Sequence, residues 1–246
     1  MRFPLALFVF WVVTIATVRA QPAATIVFFS GNPVLTAANG NERPATRGGE
    51  LNSGDTVDSR DGRLQLRFLD GASLSLQPGS RFRIDRFSYA GADALRRNDE
   101  GVAMTLIKGT LRTITGWLGK KDRNQYRMGS TVATIGIRGT EYGATMDDTG
   151  LTVATYAGEV EVCSQAGCLD VPSGKSVWVR AASERPQYRD AAAKTTFESL
   201  KVMPEVPATP GGTVPALPAG PQPDPGLHLP TSPYGRQSSP TTGPIR

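Results

Sequence analysis

The sequence predicts an all-β fold, with short strands stacked as a β-solenoid-like or β-sandwich module. Three observations carry that prediction. Apolar and polar residues alternate with period two over three successive runs between residues 64 and 85, the pattern of half-buried strands. Glycine turns recur between short apolar runs from residue 51 to residue 180. Over the same range no amphipathic run reaches helical length. Such punctuation describes many short strands joined by tight turns.

The first twenty residues stand apart from that core. Arg2 precedes an apolar run from Leu5 to Ile15, and Val18-Arg19-Ala20 offers small residues at the positions a signal peptidase reads. This is the layout of a secretory leader cleaved after Ala20. Sixteen uncharged residues separate Arg2 from Arg19, with Pro4 and two threonines among them. A spanning helix wants about 20 apolar residues, so cleavage is favoured over a retained anchor, and no further integral membrane segment is expected. The mature product is then periplasmic or secreted. It carries 25 basic against 22 acidic side chains, a mild excess that gives no reason to expect a nucleic-acid partner.

Residues 21–50 supply a strand at Thr25 to Phe29, a polar loop, and a short strand at Val34-Leu35. In residues 51–180, Leu64, Leu66 and Phe68 alternate with Gln65 and Arg67. Asp70-Gly71 then favours a tight hairpin, because Gly accepts positive φ without a steric penalty. Ala72, Leu74 and Leu76 follow, and Gln77-Pro78-Gly79-Ser80 fits a type II turn. Phe82 and Ile84 alternate with Arg81, Arg83 and Asp85. Residues 86–101 read as a connecting loop or short helix. β pattern resumes over 102–118, broken at Lys108-Gly109. Residues 119–129 read as a basic loop, and Val132 to Ile137 as a buried strand turning through Arg138-Gly139-Thr140 into another. Leu151 to Tyr156, Glu159 to Cys163, Leu169 to Val171 and Ser176 to Arg180 read as four further strands, with a turn at Ala157-Gly158.

Residues 181–202 suggest one short helix, Arg189 to Lys201, ahead of a change in composition. Twelve of the last 44 residues are Pro and six are Gly, with four charges. Such a tail buries too little apolar area to offset the entropy of ordering, so residues 203–246 are expected to be disordered.

Cys163 and Cys168 are the two cysteines of the chain. In an oxidising compartment they read as a disulfide across a hairpin. The rival is half of a metal site, which needs further ligands, and the sole histidine, His228, lies far off in the tail. That same isolation removes a Ser-His or Cys-His catalytic pair. Asp58, Asp61, Asp147 and Asp148 are the carboxylates a glycosidase reading would use, but turn capping accounts for them better. Asp58-Ser-Arg-Asp61-Gly62 lacks the alternating ligands and final Glu of a calcium loop. The expectation is therefore no enzyme, no cofactor and no metal. Lys120, Lys121, Arg123 and Arg127 form a basic cluster, which is either a solvated loop or a surface for an anionic partner. Arg138 is expected to lie mostly buried, fixing a turn by pairing with acceptors.

Four segments together resemble the FecR domain across residues 50–180: Gly54-Asp-Thr-Val57, Asp70-Gly-Ala-Ser-Leu-Ser-Leu76, Gly129 through Ile-Gly136-Ile-Arg138-Gly139-Thr140-Glu-Tyr142, and Tyr156-Ala-Gly-Glu-Val-Glu-Val162. The resemblance implies an all-β periplasmic interaction module, with Gly136, Arg138, Gly139 and Thr140 as a structural motif and no catalytic residue. The family's best-known members are inner-membrane regulators that carry an anti-sigma segment, one membrane helix and a periplasmic domain sensing an outer-membrane transporter. On this reading the chain lacks the first two parts and is a stand-alone exported protein. A binding or scaffold role toward an envelope protein or polymer is then the leading expectation. A part in a signalling relay is the alternative.

Overall fold

The computed structural model describes residues 21–91, 100–121 and 123–189. The described residues all fall within one compact unit. They form fifteen strands: β1 Ala24–Phe29, β2 Val34–Thr36, β3 Glu42–Pro44, β4 Glu50–Leu51, β5 Thr56–Asp58, β6 Leu64–Phe68, β7 Ser73–Leu76, β8 Arg81–Ser88, β9 Gly101–Ile114, β10 Tyr126–Gly129, β11 Thr134–Asp147, β12 Gly150–Ser164, β13 Gly167–Pro172, β14 Ser176–Val179 and β15 Gln187–Tyr188. A short helix, α1, spans Trp117–Lys121, and one 3₁₀ turn spans Arg123–Gln125. The all-β expectation holds, as one mixed sheet.

β9, β11 and β12 hold that sheet together. Each runs 14 or 15 residues and changes neighbours partway along. The result is two half-sheets. In the first, β14, the early part of β12, the late parts of β11 and β9, β7, β6, β1 and β4 follow one another, with β15 beside β14. In the second the order is β13, late β12, early β11, β10, early β9, β8, β5, β2 and β3. The halves share one apolar core. Across it the rings of Phe68 in β6 and Phe87 in β8 lie 5.8 Å apart.

The alternation seen in the sequence is the alternation of burial. Leu64, Leu66, Leu74 and Leu76 are almost wholly buried and face one another in register, Leu64 to Leu76 and Leu66 to Leu74. Each such side chain contributes about 1.5–3 kcal/mol of burial. Asp70-Gly71 closes the β6–β7 hairpin with Gly71 at φ +85°, and Gly79 sits at φ +77° in the following turn.

Three expected breaks are not turns. Lys108-Gly109 lies inside β9, Arg138-Gly139-Thr140 inside β11, and Ala157-Gly158 inside β12. Gly109, Gly139 and Gly158 have positive φ, as turn glycines would. Pairing nevertheless continues past them, because Arg138 lies opposite Glu159 and Glu141 opposite Ala157. Gly139-Thr140 thus faces Gly158 alone, a β-bulge that bends a strand without ending it. These bulges carry the chain from one half-sheet to the other.

Two further corrections concern connections. β8 continues to Ser88 and β9 begins at Gly101, so only the middle of 86–101 remains for a connection, and residues 92–99 lie outside the described structure. Residues 119–129 hold the end of α1, the 3₁₀ turn and β10 rather than a plain loop. β10 runs parallel to β9, and a parallel pair needs a crossover. The segment from Thr115 to Gln125 supplies it. Past β14, residues 181–189 bend and then add β15, while the helix expected from residue 189 and the Pro-rich tail lie outside the described residues. The 181–189 segment crosses the β12–β13 turn and reaches one carbonyl on the edge of β13, where unpaired backbone groups would invite another strand. Gln165 N donates to Ala182 O at 2.9 Å, Arg185 Nε to Ala166 O at 2.9 Å, and Tyr188 Oη to Asp170 O at 2.7 Å.

Candidate functional site

The expected motif residues meet at the β11–β12 bulge. Ile135 and Ile137 point inward and are almost fully buried, so period two turns Gly136 and Arg138 outward. Arg138 is therefore not buried as expected. Its side chain is 55% exposed and pairs with Glu159 across the strands at 3.2 Å. Gly139 is exposed, and Thr140 is buried beneath it. The backbone of Thr140 is clamped by Thr115. Thr115 Oγ1 donates to Thr140 O and accepts from Thr140 N, each at 3.0 Å. Gly158 has to lack a side chain, since a Cβ there would lie 2.5 Å from Gly139 O.

Gly136 lines a shallow depression of about 200 Å³ with Asn124, Ile137, Arg138 and Glu161. A second hollow of about 290 Å³ runs past Ser130–Thr134, Cys163, Ser164, Gln165 and Ala182. Cys163 and Cys168 are bonded to each other, directly opposite in register across the β12–β13 hairpin, with Cα atoms 4.0 Å apart. The Glu161 carboxylate comes within 4.8 Å of both sulfurs, but disulfide sulfurs lack the thiolate character a metal needs.

The basic residues are regrouped by the fold. Arg127 lies on the outer face of the second half-sheet, in one row with Ala103 and Arg86. Next along β8 and β9, Arg83 lies opposite Thr105, and Arg81 opposite Lys108. Arg81, Arg83, Arg86, Lys108 and Arg127 are all exposed. Two acids lie among them: Asp85, bonded to Arg83 Nε and to Thr105 Oγ1, and Asp58, opposite Arg81 on β5. Farther along the same face Glu161 lies opposite Asp170, and Glu159 lies between Pro172 and its ion-pair partner Arg138, so acids outnumber cations on that side. Lys120 is exposed on α1, beside Gly139 rather than Arg127. The side chains of Lys121 and Arg123 lie outside the described structure. The outward alternation of Arg81 and Arg83 is visible in the sequence. Their neighbourhood with Lys108 and Arg127 depends on pairing between distant segments and is not.

The four aspartates sit at two connections, Asp58 and Asp61 between β5 and β6 and Asp147 and Asp148 between β11 and β12. Asp58 Oδ1 accepts from Arg60 N at 2.9 Å, and Asp61 Oδ1 from Asn32 N at 3.2 Å. Asp147 Oδ1 accepts from Thr149 N at 2.8 Å, next to exposed Asp148. The buried polar groups lie elsewhere. Tyr126 and Tyr142 share a hydroxyl hydrogen bond of 2.6 Å between the half-sheets, and burial pushes both phenols well above their ordinary range. Asp70 is 8% exposed, and its carboxylate accepts from Ala72 N at 3.1 Å and Leu118 N at 3.3 Å. Burial raises its pKa against the lowering pull of those bonds.

Residues 55–161 match the family model described as FecR protein. Two crystal structures of a candidate anti-sigma factor from Parabacteroides distasonis ATCC 8503 are similar to the chain, with TM-scores of 0.43 and 0.44 and identities of 15% and 14%. In each the alignment covers 58% of this chain and 62% of that one. No curated protein matches the sequence.

Proposed function

We propose that this chain, whose residues 55–161 are a FecR domain, is a non-catalytic binding module of the cell envelope, working in the periplasm or outside the cell. Its partner is an anionic envelope protein or polymer, gripped on the basic side of the second half-sheet. One observation carries this reading: the register stacks Arg81 against Lys108, and Arg86 and Arg127 on either side of small Ala103. Like charges directly opposite in a sheet, as Arg81 and Lys108 are, destabilise it. Asp58 offsets Arg81 from the β5 side, which leaves Lys108, Arg86 and Arg127 as the charges that a polyanion would neutralise. The sheet beneath is continuous and holds the cations in fixed rows, so little ordering entropy opposes binding.

The experiment is capture from an envelope extract with immobilised chain. The wild type should retain an acidic protein or polymer that elutes with rising salt. Arg83→Glu/Arg86→Glu/Arg127→Glu should retain at least about tenfold less. Equal retention by both proteins would refute the reading.

The family match favours a second reading, in which the same face takes part in a relay that carries a signal from the envelope to transcription. A deletion strain whose iron-responsive transcripts are unchanged would remove that reading and leave the binding role standing.

A further inference from the structure

A different surface lies at one corner of the first half-sheet. Leu69 is 45% exposed, Ile114 51% and Trp117 40%. They are neighbours. Leu69 is in the β6–β7 hairpin, whose Asp70 O accepts from Trp117 N at 2.9 Å, and Ile114 lies opposite Ser73 on β7. Half-buried Tyr89 continues the patch, with its ring 5.8 Å from that of Trp117. Exposed apolar residues gathered in this way mark a contact surface, unlike apolar residues scattered singly. Cations rim it. Lys120 follows Trp117 by three positions and so shares its face of α1, while Leu118 points into the core. Arg67 reaches the hairpin tip, with Nη1 3.4 Å from Gly71 O.

The path of the chain indicates what covers this corner. Leu69 N donates to Ala23 O at 3.1 Å. The polypeptide therefore enters the fold beside Leu69, directly after residues 1–20 with their sixteen uncharged positions in a row. We propose that the Leu69–Tyr89–Ile114–Trp117 corner docks on an anionic lipid bilayer surface. Leu69 and Ile114 enter the boundary of the acyl region. Trp117 and Tyr89 take the headgroup level, where amphipathic rings are favoured. Lys120 and Arg67 meet the anionic headgroups. Docked in this way, the domain holds its amino-terminal residues against the membrane the leader has just engaged. The basic face of the second half-sheet is a separate surface.

The test uses residues 21–246, the span that holds the core formed among the described residues, Ala23 to Val179. In that chain Trp178→Phe leaves Trp117 as the sole indole. With phosphatidylglycerol vesicles, Trp117 emission should shift to the blue and be quenched by brominated acyl chains. Phosphatidylcholine vesicles should bind more weakly. Leu69→Ser and Ile114→Ser, read by this emission, and Trp117→Ser, read by cosedimentation with the same vesicles, each checked for an unchanged melt, should lower partitioning by about tenfold apiece. Arg86→Glu/Arg127→Glu should lower it less than about threefold.

Unshifted Trp117 emission overturns the proposal. So does vesicle binding that ignores the corner variants and vanishes with Arg86→Glu/Arg127→Glu. An envelope protein that crosslinks at the corner of a chain that does not bind vesicles overturns it in favour of a protein partner. Capture on the basic face is read separately, so either conclusion can fail without the other.

Discussion

The hairpin region of residues 64–80 and the long-strand region of residues 101–164 use the same residue for opposite ends. In the first, Gly71 and Gly79 close turns, and a Cβ at either would meet nothing within 4 Å. In the second, Gly109 and Gly158 lie inside strands. A Cβ would come within 2.4 Å of Ser80 Cα at Gly109, and within 2.5 Å of Gly139 O at Gly158. All four have positive φ. Backbone conformation is thus common to both regions, and crowding separates them. A turn glycine is there for its φ, whereas a bulge glycine also has to let another strand come close.

That contrast sets the largest expected effect. Gly158→Ala combines positive φ with a collision against backbone and should destabilise by on the order of 3 kcal/mol or more. Gly71→Ala should cost about 1–2 kcal/mol, the penalty of the left-handed region alone. The bulge also offers an internal control. A Cβ at Gly139, across from Gly158, would meet only Lys120 Cγ at 3.9 Å, so Gly139→Ala should resemble Gly71→Ala. Urea melts of the three variants decide the matter, and equal losses at Gly158 and Gly71 would break the comparison.

A smaller effect probes the clamp that fixes the bulge. Thr115 Oγ1 makes two bonds to the Thr140 backbone, whereas Thr140 Oγ1 is buried without a partner. Removing a buried hydrogen-bond partner costs more than removing a hydroxyl that has none. Thr115→Val should destabilise by about 1–3 kcal/mol, and Thr140→Val should be neutral or slightly stabilising. If both substitutions cost the same, the clamp is not what holds the corner. Thr140, singled out from the motif, then owes its place to its backbone rather than to its hydroxyl.

Much of this was legible before any coordinates, and the comparison explains what was not. The hairpins of residues 64–85 depend on neighbours in sequence: alternating Leu, then Asp-Gly, then Pro-Gly. The bulges depend on neighbours in space. Arg138-Gly139-Thr140 reads locally like a turn, and only the facing Glu159-Gly158-Ala157 segment keeps it in a strand. Arg138 was misplaced for the same reason, because a stretch taken as buried throughout in fact alternates. The disulfide was readable because its register is local, with Cys163 opposite Cys168 across one hairpin. The basic face was not, because Arg81, Lys108 and Arg127 come from three separate segments. Trp117 reads locally as strand, since nothing nearby announces the parallel pairing that calls for a crossover helix.

The smallest effect links the two regions through Asp70, which sits in the hairpin region while its carboxylate receives Leu118 N from the crossover. Burial raises its folded pKa above the unfolded value. A carboxyl raised in this way contributes stability that is fully present below the unfolded pKa, about 3.9, and is lost as pH rises through the folded pKa. Lowering the pH from neutral toward that window should therefore raise the melting temperature slightly, before other carboxylates protonate. In Asp70→Asn that rise should be absent. An Asp70→Asn profile that still follows the wild type would mean that the backbone bonds from Ala72 and Leu118 balance burial, and would overturn the expected rise. A wild type that instead loses stability on acidification relative to Asp70→Asn would mean that those bonds outweigh burial, so that the hairpin grips the crossover through the charged carboxylate and the tie between the two regions tightens as pH rises.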